Sequence, residues 1–196
     1  MTLYSMMLFI HVSAAICLFI GFGIWLFGIT AIAHAACVEQ VRTLTDVMLM
    51  VRLVVPVSAL VVIAAGLTMA LTAWGLQTGW IAVALGGLVI VGPIGTWVID
   101  PKVRAMATLA HTLPDGPLPT QLAERTHDRV LRLALHTTTA LLFGIVFLMT
   151  TKPVLTSALA AIVVAAFLGI ATGLPFVRAR HAAPPDRFQQ HEEDAS

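Results

Sequence analysis

Charge is scarce in this sequence. Its 196 residues include 11 Lys and Arg and 10 Asp and Glu, 11% of the chain, against 59% hydrophobic residues and a mean hydropathy of +0.94. No soluble domain has that balance, and a net charge of +1 gives no reason to expect a nucleic acid or any generally anionic partner. Cysteine is limited to Cys17, inside the first apolar run, and Cys37, at its end, so neither a disulfide nor a paired thiol site is expected. The chain also lacks the P-loop GxxxxGKS/T, GxGxxG, HExxH, CxxC and GxSxG, which removes the usual signatures of nucleotide, dinucleotide, zinc-protease and serine-hydrolase chemistry.

What is present is hydrocarbon. Charge-free runs extend over Met1–Val38, Leu53–Ile99, Leu133–Thr151 and Pro153–Val177. A helix rises about 1.5 Å per residue and bilayer hydrocarbon is about 30 Å thick, so roughly 20 apolar residues cross once. The run Leu53–Ile99 is too long for one crossing and breaks at Trp74-Gly75-Leu76-Gln77-Thr78-Gly79-Trp80, where glycines offer a turn and tryptophans suit the interface. An all-α bundle of five spans is expected, over residues 6–32, 53–73, 81–99, 133–151 and 154–177. Residues 100–131 form the largest connection, with a proline-rich turn followed by a short helical pattern that leads into span four. The tail, 178–196, reads as solvated and disordered.

Lys and Arg set the topology. Ten of the eleven fall in the connection 33–52, the connection 100–131 with Arg132 just after it, and the tail, all on one face of a five-span protein, and only Lys152 falls on the other. The positive-inside rule then places the N-terminus outside and the tail in the cytoplasm of a bacterial inner membrane. A cleaved signal peptide is the competing reading of the first segment, but the start Met1-Thr2-Leu3-Tyr4-Ser5 has no basic n-region and the apolar core is about twice the usual length.

An ionisable group inside hydrocarbon costs several kcal/mol unless it is neutral, paired or faces a cavity. Two qualify, His11 and His136. Each has Leu three residues before, a hydroxyl residue two after and Ala four after. Ser58–Leu67 and Ser157–Ala166, each just after a proline, add a weak second match, so an inverted internal repeat is open beside chance similarity of apolar segments. In that topology His11 lies roughly 8–12 Å below the outer surface and His136 roughly 6–9 Å above the inner one, too far apart to share one metal ion.

Two functional pictures fit. One or both histidines are axial ligands of b-type haem, with Met69 or Met7 as the outer second ligand, because imidazole and thioether both ligate haem. Alternatively they mark a polar path for a proton, metal or small solute, with Ser13, Ser58, Thr68, Thr96 and Thr137–Thr139. The plain structural alternative is a neutral histidine donating to a backbone carbonyl or hydroxyl. At the basic edge, Arg52, Asp100, Arg104 and Arg132 are candidates for an ion cluster linking spans two, three and four, against ordinary anchoring at lipid headgroups.

These residues also carry a family likeness. The apolar-His-x-Ser-Ala opening of span one passing into Gly21-Phe22-Gly23, Arg52 before a proline-led span two ending near Gly66-Leu67, and a Trp80-led span three ending in Asp100-Pro101-Lys102-Val103-Arg104 resemble a bacterial family of small integral membrane proteins labelled as a domain of unknown function. That group is remotely similar to the copper-resistance D type and to HemJ-type protoporphyrinogen oxidases, in which a first-span histidine is associated with haem. The resemblance implies that His11 is the matching position and that haem b is a candidate cofactor. Trp25-Leu26-Phe27-Gly28 is followed by no arginine before Arg42, so the likeness does not extend to protoporphyrinogen oxidation. Two other classes stay open beside a haem or redox role: a non-catalytic accessory subunit in a homo-oligomer or larger membrane complex, and a small-solute transporter.

Overall fold

A backbone inside hydrocarbon has no water to bond, so the apolar runs must satisfy their own N–H and C=O groups as helices. The computed structural model describes residues 2–75 and 77–174, with no strand among them. Eight α-helices follow in order: α1 Leu3–Ile32, α2 Val38–Met50, α3 Val54–Met69, α4 Gly79–Pro93, α5 Asp100–Thr112, α6 Thr120–Thr126, α7 Arg129–Thr151 and α8 Leu155–Gly173. Five helical rods, Leu3–Ile32, Val38–Trp74, Gly79–Thr112, Thr120–Thr151 and Leu155–Gly173, are long and apolar enough to cross a membrane. The five-span, all-α reading stands. The last residues assigned to span five, 175–177, and the tail 178–196 lie outside the described residues.

Local chemistry accounts for the starts and stops. Thr2 and Asp128 cap α1 and α7 by accepting from the amides of Ser5 and Leu131 at 3.2 and 3.0 Å. α3 runs on into a π-helical turn, Ala70–Trp74, which ends at Gly75 with φ +77°. Pro93 has no N–H to give the ladder, and the chain continues from it into a second π-helical stretch, Ile94–Ile99, before α5.

The rods sort into two tight pairs, α1 with α3 and α7 with α8. Each pair closes over glycine: a Cβ on Gly21 would lie 2.6 Å from Val55, and one on Gly169 would lie 2.5 Å from the Cα of Thr137. α4 packs on α7 and α8, with Gly87 against Ile145 and Gly79 against Leu155. α3 and α4 scarcely touch, and a cleft runs between them.

Residues 100–131 are mostly helical rather than loop, and with α2 they build a packed layer beyond the bundle. Val38, Val41 and Met48 of α2, Val103, Met106 and Ala110 of α5 and Leu122 of α6 are all essentially inaccessible. Arg42 clasps the layer. Its guanidinium donates to Ala110 O and Leu113 O at the end of α5, at 3.1 and 2.9 Å, and to Asp115 at 2.8 Å. Charge-assisted bonds to part-buried carbonyls contribute about 1.5–3 kcal/mol each, and the exposed pair with Asp115 about 0–1 kcal/mol. Asp46 with His111 and Asp128 with Lys102 tie further elements of the layer together. Arg42, Arg52, Lys102, Arg104, Arg125, Arg129 and Arg132 all lie toward this end of the rods, the basic end. The opposite, N-terminal end carries Lys152.

Candidate functional site

His11 lies between α1 and α3. Its Nδ1 is 2.9 Å from the carbonyl oxygen of Val62, and because a carbonyl only accepts, Nδ1 carries the proton and donates. In the neutral ring that leaves the Nε2 lone pair for a ligand. The ring fits there because the next turn of α3 presents Gly66: a Cβ at that position would lie 3.0 Å from Cε1 and 3.2 Å from Nδ1. Gly66 is a cradle for the imidazole, and no side-chain rule at the sequence level reveals that.

His11 borders a cavity of about 360 Å³ at the N-terminal end of the cleft. Met69, one turn beyond Gly66 on α3, borders the same cavity, whereas Met7 does not. Most of the remaining wall is aliphatic. The mouth is aromatic and cationic: Lys152 Nζ sits 4.1 Å above the Trp74 ring, and the Trp74 and Trp80 rings meet edge-on at 5.9 Å. Lys152 holds this place from a left-handed backbone, φ +48°, at the end of α7.

His136 is elsewhere. It borders a crevice with Leu26, Ile29, Ala33 and Arg132, of about 10 Å³, the threshold for a single water. Leu26 is fifteen residues from His11 along α1, so the two histidines face regions separated by about 22 Å of helix. The two do not share a cavity, and the crevice beside His136 is far smaller than the cavity beside His11.

At the basic end Asp100 pairs with Arg52 and Arg104, at 3.5 and 2.7 Å. Arg132, expected with them, is a buried residue of α7 whose Nη2 donates to Thr126 O at 3.2 Å. The ion pairs of Asp100 thus join the second and third rods. Of the hydroxyls considered for a polar path, Thr68 and Thr96 donate to their own helices, at Ala64 O and Gly92 O. Among the described residues no three His, Cys, Asp or Glu side chains converge as a set for a metal ion.

Residues 5–153 match the family described as "Predicted integral membrane protein (DUF2269)". The chain belongs to this family. The matched stretch of DUF2269 runs from Ser5 in α1 through α7, takes in all but Tyr4 of the cavity beside His11, and stops before α8. No curated protein and no solved structure matches the chain.

Proposed function

We propose that this DUF2269 member is a bacterial inner-membrane protein that binds haem b in the cavity beside His11, where His11 Nε2 and Met69 Sδ would be the side-chain donors that hold it. The observation that carries the reading is the His11 to Val62 hydrogen bond. It fixes tautomer and ring orientation as ligating histidines require and leaves the second nitrogen available. A bare ion needs three or four protein ligands, and among the described residues no such set is gathered; a tetrapyrrole brings four nitrogens of its own and asks the protein for one or two donors. The resemblance of the first span to the copper-resistance D and HemJ types points to the same histidine.

Within this reading the residues divide the work. Gly66 makes room for the imidazole, Val62 orients it, the aliphatic wall excludes water, and Lys152 at the mouth offers a cation for a carboxylate edge. Bound haem supplies one-electron redox chemistry, its potential set by the axial pair and the dryness of the site. Purified protein supplied with haem should develop a Soret band at one haem per chain, and His11→Ala should weaken binding about 10–100-fold. A wild-type protein without Soret absorption after haem addition removes the proposal.

The orientation proposed with it places the basic end in the cytoplasm. Seven arginines and lysines at that end against Lys152 at the other support it. A fluorescent protein fused after Ser196 should fold and fluoresce, while an alkaline phosphatase fused there should be inactive; the reverse pattern inverts the topology.

A further inference from the structure

The basic half of the α3–α4 cleft is a second cavity, of about 400 Å³, with Arg52 and Asp100 at its mouth and Ile63 and Leu88 at its inner limit. Ile63 and Leu88 also border the His11 cavity, so the two spaces meet there. From Arg52, two residues before α3, to Ile63 is eleven residues and from Asp100 back to Leu88 is twelve, about 16–18 Å of helical rise. Half the hydrocarbon thickness is about 15 Å. The slot therefore runs from one membrane edge to the midplane, the depth of a single leaflet. Glycine hollows its wall: a Cβ on Gly92 or Gly95 would meet nothing within 4 Å.

The mouth has the opposite chemistry. Two guanidiniums share the one carboxylate of Asp100, leaving an excess positive charge. Arg52 meets Asp100 through Nε at 3.5 Å and is 41% exposed. Its two terminal nitrogens make no hydrogen bond among the described residues, so a planar fork of donors stands unused at the rim. That fork matches the oxygens of a phosphate.

We propose that this slot seats an anionic phospholipid from the leaflet at the basic end, one acyl chain lying between α3 and α4 as far as Ile63 and Leu88 and the phosphate on Arg52 and Arg104. Leaflet depth selects a chain anchored at the edge. The excess charge selects an anionic over a zwitterionic headgroup, since each basic residue near a headgroup favours the anion appreciably. The site is separate from that of His11 and stands whether or not haem binds.

The test is native mass spectrometry of the full chain in detergent with equimolar dioleoyl-phosphatidylglycerol and dioleoyl-phosphatidylcholine. One phosphatidylglycerol should be retained with about fivefold or greater preference, and soluble glycerol 3-phosphate should not compete. Arg52→Gln with Arg104→Gln should bring the two lipids to parity. Gly95→Leu, which fills the slot from a position with open space, should lower phosphatidylglycerol retention while the circular-dichroism melt is kept. Equal retention of the two lipids by wild type, or competition by glycerol 3-phosphate, overturns the proposal even if a variant fails to fold.

Discussion

Gly66→Leu should empty the His11 site while leaving the bundle folded. The leucine side chain would occupy the volume of the imidazole, since even a Cβ at position 66 comes within 3.0 Å of it. The ring must leave, and its hydrogen bond to Val62 O leaves with it. Loss of that bond costs about 0.5–1.5 kcal/mol. Replacing a mid-helix glycine returns about 0.8–1 kcal/mol. The two effects nearly cancel, so the melting temperature should move by only a few degrees, whereas haem retention should fall more than tenfold. Gly66→Ala is the graded companion: the ring need yield only a few tenths of an ångström, and retention should fall less. A Gly66→Leu protein that holds haem as wild type does would show that the His11 imidazole is not the ligand.

The largest loss of stability is expected at Gly169, where α8 crosses α7. A Cβ there would lie 2.5 Å from Thr137 Cα, 3.0 Å from Ala140 Cβ and 3.0 Å from His136 O. Backbone atoms cannot rotate away as a side chain can, so the helices must separate. Helix pairs in hydrocarbon depend on close packing, with no hydrophobic driving force to hold them otherwise. Gly169→Ala should cost about 1–3 kcal/mol in overpacking, and Gly169→Leu should exceed that and expose α8 to proteolysis. Gly23→Ala and Gly86→Ala, where a Cβ meets nothing within 4 Å, serve as controls and should be neutral or slightly stabilising. Thermal unfolding in one detergent compares all four, and equal melting points for Gly169→Leu and Gly86→Ala would refute the close-packing account.

His11 was conspicuous in the sequence because one imidazole stands alone in a charge-free run. Its supporting residues were not, because the partner on α3 is a backbone carbonyl and the essential feature of Gly66 is the lack of a side chain. Met69 was legible as a thioether on span two; that it shares a cavity with His11 depends on how α1 leans on α3. The grouping of Arg132 with Asp100 rested on depth alone, and depth does not reveal a backbone partner such as Thr126 O. Polar connections likewise hid α2 and α5, whose apolar residues form one layer only when the two helices meet.

Hydropathy and the placement of arginine and lysine are properties of the chain read in one dimension. They determine that the backbone must become helical in hydrocarbon, how many times it can cross, and which ends gather charge, because desolvation acts on each segment wherever its neighbours are. Cavities are properties of gaps between segments. The poor contact of α3 with α4, the room beside His11 and the slot under Arg52 follow from which glycines meet which faces, and only the assembled bundle decides that.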